Sequence, residues 1–186
     1  MKEQFNVEWV FHQDSSVDIA IIPFGYDPDD DDVVFIPEEE FLGIEKLNEL
    51  YEVCFLSYQP GVPIEERISP VMRRGMVSLV NEDKTFYIDG SAFPGNSGSP
   101  VFFKPFQYIS GEGGVPIINH KLGLKFLGII GEYITYEETA VSTQTGRSRI
   151  TFEEHTGLTK VWSVSYIMEI MESPSFQKQL EEQLNQ

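Results

Sequence analysis

The stretch Phe93-Pro94-Gly95-Asn96-Ser97-Gly98-Ser99-Pro100-Val101 decides how the rest of the chain is read. A serine set between two glycines and closed by a proline and an apolar residue suits the presentation of a hydroxyl at a turn. Gly95 lets the main chain turn where a side chain would clash. The N–H groups of Gly95 and Ser97 are then placed to converge on a developing oxyanion, the arrangement that stabilises a tetrahedral intermediate in acyl transfer. Gly98 keeps the space beside Ser97 open, and Pro100 fixes the exit into the next strand. The plain alternative is a polar Gly-Ser-Pro turn between two strands, since these residues are common in turns. A motif of this kind is a hypothesis until its context agrees.

The context supplies a carboxylate. Ser16-Val17-Asp18-Ile19-Ala20-Ile21-Ile22 sets one acid immediately before a small apolar strand, as needed to hold a carboxylate at a rim where it orients an imidazole. Asp18 precedes Ser97, the order of acid and nucleophile in the chymotrypsin-type triad. The nucleophile elbow of α/β-hydrolases is excluded, because Ser99 stands where that motif has glycine. With these residues the chain resembles the trypsin-like (chymotrypsin-fold) serine peptidases, in their bacterial style. Asp18–Ile22 looks like the block around the triad aspartate. Gly95–Pro100 looks like the nucleophile block, with Asn96 where the family commonly has Asp. Arg73-Arg74-Gly75-Met76-Val77-Ser78 is similar to the strand that opens the second barrel's core. Leu124–Gly131 resembles the strand that receives substrate backbone, and Trp162–Met168 the last strand running into the terminal helix.

The resemblance implies a mostly β, chymotrypsin-like double β-barrel. Ser97 would be the nucleophile, Gly95 and Ser97 the oxyanion donors, and Asp18 the residue that orients the histidine. It places Ser91 at the base of the primary specificity pocket, where members that prefer basic residues carry Asp. Asp89, two positions away, points to the other side of an extended segment. Phe93 and Pro94 form one wall and Ile130, Gly131 and Glu132 the other, which implies a small or apolar residue before the scissile bond. The catalytic histidine is not found. It belongs roughly 45 residues before the aspartate, whereas seventeen residues precede Asp18. His12 reads as a polar residue at a strand end, and His120 and His155 follow Ser97. Either the chain is the latter part of a longer peptidase or its protein has lost the base. A serine without a base is a weak nucleophile, so the chain as written is expected to be nearly inactive.

At 186 residues and 41% hydrophobic content the chain can bury a sizeable core. The formal net charge of −17 argues against nucleic-acid partners, which require a basic surface, and against anionic membranes. No apolar run approaches the roughly 18 to 20 residues needed to cross a bilayer. Cys54 is the only cysteine, so no internal disulfide forms. Its apolar neighbours make it a buried thiol, and a cytoplasmic setting is favoured. Asp27-Pro28-Asp29-Asp30-Asp31-Asp32 lacks the glycine and distant glutamate of an EF-hand loop and reads as a solvated acidic loop. Gly111-Glu112-Gly113-Gly114 lacks the lysine of a P-loop. No cofactor or metal is implied.

Strand-like runs occur near 6–12, 18–24, 52–58, 71–80, 85–89, 99–103, 124–134 and 158–164, separated by Gly, Pro and Asn/Asp. Spacing predicts a helix over 38–50, started at Pro37 and its three acids, and another from 165 onward that Pro174 breaks or restarts. The chain thus divides into a first-barrel remnant over 1–36 with the Asp18 strand, a linker helix over 37–51, a second barrel over 52–164 and a C-terminal helix over 165–186. An open remnant would expose strand edges, and self-association there or a missing N-terminal segment are the partners expected besides a peptide or protein substrate. The reading from another class is a non-catalytic, protease-like module that captures an extended peptide beside Leu127–Gly131 by strand addition.

Overall fold

Alternation of apolar residues builds the strands of this protein. In Glu52-Val53-Cys54-Phe55-Leu56-Ser57 every second side chain is buried, the period of two that sends successive residues to opposite faces. The computed structural model describes residues 8–27, 29–58, 70–103, 108–110, 116–118 and 124–184. In chain order the strands are β1 (Val10–Phe11), β2 (Ala20–Ile21), β3 (Glu52–Ser57), β4 (Val71–Val80), β5 (Thr85–Asp89), β6 (Pro100–Phe103), β7 (Tyr108–Ser110), β8 (Pro116–Ile118), β9 (Lys125–Val141) and β10 (Ser148–Ser163). The helices α1 (Val164–Met171) and α2 (Pro174–Leu184) follow.

Six strands close an antiparallel barrel in the order β10-β5-β4-β3-β6-β9, with β9 and β10 sealing the ring. Within it β3, β4 and β5 are neighbours in sequence order and β6 returns to lie beside β3, the Greek-key arrangement. Phe55, Val77, Phe86, Ile88, Val101 and Val161 are fully buried at its centre. Each such side chain contributes about 1.5–3 kcal/mol of transfer free energy, so the barrel is the main source of stability. Its tightest point is Gly128. A Cβ there would stand 2.0 Å from the Trp162 carbonyl oxygen, and its φ is +152°.

The fold is mostly β, as the sequence reading has it, with one closed barrel. The expected linker helix does not form. Residues 37–51 carry only two 3-10 turns, Glu38–Glu40 and Ile44–Lys46. Their apolar side chains are used singly: Phe41 packs on Phe126, and Leu42 and Leu47 reach the barrel core. A continuous helix would carry them on one stripe and leave three consecutive acids around its first turn. The amino-terminal strands are shorter than read, two residues each, and form a separate two-stranded sheet. Its apolar side is covered rather than open. Val10, Val17 and Ile19 pack with Trp162, Tyr166 and Ile170. Trp9, Phe11 and Phe24 remain exposed.

The C-terminal segment follows its sequence closely. Pro174 opens α2 at the first helical position, where a missing N–H costs nothing. Ile167, Ile170, Met171, Phe176 and Leu180 all join one cluster against Trp162. No helix among the described residues is long and apolar enough to cross a membrane.

Candidate functional site

The segment between β5 and β6 is two consecutive four-residue turns. Asn96 N–H donates to the Phe93 carbonyl at 2.9 Å, and Ser99 N–H donates to the Asn96 carbonyl at 3.0 Å. Gly95, with φ of +94°, and Gly98, with φ of +80°, occupy the third position of their turns, where a type II turn requires a positive φ. Pro94 presets the second position of the first turn. The sequence thus folds locally as its Pro-Gly and Ser-Gly steps dictate. A Cβ added to Gly95 or Gly98 would meet nothing within 4 Å, so both glycines serve the turn and the space beside them is open.

Asn96 holds the first turn from inside. It is 0% exposed, and its Oδ1 accepts the Phe93 N–H at 2.9 Å. Its Nδ2 has no partner. The second turn is fastened to β9: Gly98 N–H donates to the Ile130 carbonyl at 2.8 Å and Ile130 N–H to the Ser99 carbonyl at 2.9 Å. The N–H groups of Phe93, Asn96, Gly98 and Ser99 are therefore all engaged. Those of Gly95 and Ser97 have no acceptor among the described residues. Ser97 is exposed, and its Oγ donates to the Gly131 carbonyl at 2.9 Å. That contact occupies the hydroxyl proton without removing it.

Ser97 and Gly95 are thus brought together with Ile130 and Gly131. Ser91 and Phe93 flank them at the start of the loop, both exposed, and the Arg73 guanidinium lies 5.1 Å from the centre of the Phe93 ring. Asp89 is exposed too and pairs with Met76 and Leu158 in the barrel wall. Asp18 is exposed and makes no hydrogen bond or ion pair with a described residue. The next residue, Ile19, packs in the cluster that contains Trp162 and touches Ile129. Ile129 and Gly131 are two residues apart on β9, about 7 Å at the usual strand rise. The Asp18 hairpin thus belongs to a cluster that reaches β9 at Ile129, two residues from the carbonyl that holds Ser97.

Neither described histidine is available to Ser97. His12 Nε2 faces Glu169 Oε2 on α1 at 3.0 Å, and its Nδ1 accepts the Asp14 N–H at 3.1 Å. Burial alone would raise the Glu169 carboxyl. The hydrogen bonds from Lys84 and His12, with their charges, outweigh that effect and hold it below the usual carboxylate range. His155 lies within β10, which begins ten residues earlier than the strand read from the sequence at 158–164. Its Nε2 is 2.9 Å from the Ala92 carbonyl and its Nδ1 accepts the Gly157 N–H at 2.7 Å. An acceptor Nδ1 makes Nε2 the donor, so this ring braces the loop. His120 lies outside the described residues.

Sequence reasoning missed two supports. The buried Thr159 hydroxyl donates to the Gly90 carbonyl at 2.6 Å and accepts the Ala92 N–H at 3.2 Å, clamping the approach to the turn. His155 does the same one step on, stacked on Tyr133. A threonine and a histidine in a β-rich stretch carry no signal for such roles, which depend on pairing with residues more than sixty positions away. Cys54 is half-buried in β3 rather than fully buried. A cavity of about 330 Å³ beside α1, lined by His12, Glu169 and Pro174, includes no residue of the Ser97 loop. No cluster of three or more His, Cys, Asp or Glu side chains suited to a metal ion occurs among the described residues. Comparison with protein-family models, curated proteins and solved structures gives no significant match.

Proposed function

We propose that this chain carries the nucleophile half of a trypsin-like serine endopeptidase. Ser97 attacks the scissile carbonyl, and the Gly95 and Ser97 N–H groups receive the oxyanion. The observation that carries the reading is the selective satisfaction of the loop: four N–H groups are bonded, and the two beside Ser97 Oγ are left without an acceptor. The two turns bond the N–H groups of their last residues and leave those of Gly95 and Ser97, at interior turn positions, free beside the hydroxyl. Free donors there are what an acyl-transfer site requires. A closed β-barrel with the turn fastened to β9 supports the double-barrel fold that the resemblance implies. In this reading Asp18 orients an imidazole that accepts the Ser97 proton. His12, bound to Glu169, and His155, bound to Ala92, are not that imidazole in this reading.

The test is chemical rescue. An activated ester with a small apolar acyl group, incubated with the chain, is expected to acylate Ser97 slowly, and added free imidazole to speed this. Ser97→Ala should abolish the adduct. The second reading is a peptide-binding module, favoured by the outer edge of β9 beyond Gly131, which no strand among the described residues covers. No adduct at Ser97 with imidazole present, together with peptide binding that survives Ser97→Ala, would replace the first reading with the second.

A further inference from the structure

β9 and β10 run past the barrel as a two-stranded ribbon. β10 pairs with β5 only from Leu158 to Trp162, while its pairing with β9 continues to Ser148 opposite Val141. Over Ser148–Glu154 every side chain is exposed. No described strand lies on the outer side of β10 there. Such an edge is a template for another strand, and proteins commonly blunt it with lysine, proline, a β-bulge or an inward charge. Over Ile150–His155 the pairing with β9 is regular, and the one bulge stands at Arg149, at the end of the segment Arg149-Ile150-Thr151-Phe152-Glu153. Laid antiparallel on a second copy of itself with Thr151 opposite Thr151, this segment sets Arg149 against Glu153 and Ile150 against Phe152, each pair occurring twice by symmetry.

Opposed residues of antiparallel strands share a face, so Ile150 and Phe152 of both copies would form one apolar strip. Arg149 and Glu153 have no ion-pair partner among the described residues. Arg149 is the extra residue where the register shifts between Ser148 and Ile150, which leaves it outside the ladder with β9. The outer edge of β9 offers no such match, because Glu132–Val141 carries acids and no lysine or arginine, so no register of it on a second copy pairs opposite charges. A uniformly basic foreign strand would suit Glu153 and be repelled by Arg149. A charge pattern that complements itself under two-fold symmetry selects a second copy.

We propose that the outer edge of β10, Arg149–Glu153, is a self-pairing edge through which two copies of this chain form a two-fold dimer. The proposal is independent of what Ser97 does. The net charge of −17 opposes association, but charges farther apart than about 8 Å are screened at physiological salt, and the facing Arg149 and Glu153 are not. The contact is small beside the roughly 1,600 Å² of a standard interface, so the dimer is weak and concentration-dependent. Sedimentation equilibrium of the full chain should show a monomer–dimer equilibrium at sub-millimolar concentration. Arg149→Glu and Glu153→Arg should each weaken it about 10-fold or more, by turning two attractions into two repulsions. The double exchange should restore it, with parent-like thermal melts throughout. A chain that stays monomeric, a dimer indifferent to the single reversals, or a double exchange that fails to restore association would each overturn the proposal.

Discussion

Replacing Asn96 with aspartate tests whether the Ser97 loop is held by a neutral buried amide. The Asp side chain keeps an oxygen for the Phe93 N–H, now 2.9 Å from Asn96 Oδ1. Its second oxygen lands where Nδ2 has no partner, at a residue with no exposed surface. A fully buried carboxyl without a cation is lifted by up to about 3 pKa units, and each unit is about 1.4 kcal/mol. Asn96→Asp should therefore cost up to about 4 kcal/mol at neutral pH. The sign follows from linkage. With its folded pKa above its unfolded value, the group makes the native state bind the extra proton, so the penalty grows as pH rises from about 4 and levels off above the folded pKa. Asn96→Ala leaves the Phe93 N–H unsatisfied and should cost about 1–3 kcal/mol at every pH. Urea melts of the three proteins between about pH 4 and 8 separate these patterns. An Asn96→Asp protein as stable as the parent at neutral pH would refute the reasoning, and would mean that a cation such as Arg73 reaches the buried carboxylate.

Two glycines should respond differently to alanine. Gly128→Ala drives a methyl into the Trp162 carbonyl and should lose about 3 kcal/mol or more, whereas Gly95→Ala meets open space and should lose only the roughly 1–2 kcal/mol of a left-handed backbone; thermal melts rank them. Glu169→Gln should lower stability at neutral pH by up to about 1 kcal/mol, a small value because the carboxylate is partly solvated. Since its folded pKa is depressed, that difference should vanish as pH falls through the carboxylate range, and a constant difference in acid titration would contradict the His12 and Lys84 pairing. Thr159→Val should cost about 1–3 kcal/mol by orphaning the Ala92 N–H and should also slow acylation of Ser97, whereas a serine in its place should restore both.

Where a pattern reports local geometry, this sequence could be read. Pro94-Gly95 and Ser97-Gly98 each supply the residue their turn position demands, and Pro174 marks the break between α1 and α2. β3 alternates, and Phe86 and Ile88 of β5 follow the same period, because one face of each strand lines the barrel. The segment 38–50 misled because Phe41, Leu42, Ile44, Leu47 and Leu50 mimic helical spacing, while tertiary packing takes most of them one at a time and Leu50 is exposed with a positive φ. The outer half of β9 and β10 escaped notice because both faces of the ribbon meet water, so its short alternation at Ile150 and Phe152 is not extended by buried residues. Which side of β9 Asp18 would approach was not legible at all. It depends on the cluster that seats Ile19 against Trp162 and Tyr166.

The most direct test of the Ser97 site is binding of a peptide boronate, which forms a tetrahedral adduct with a nucleophilic hydroxyl, followed by amide NMR and mapping of the modified residue. The adduct should form on Ser97 in preference to Ser91 and Ser99 by about 100-fold or more, the scale of an oxyanion donor. The Gly95 and Ser97 amide resonances should shift most, and Ser97→Ala should remove both effects. An adduct spread over several serines, or Gly95 and Ser97 amides that do not move, would contradict the site.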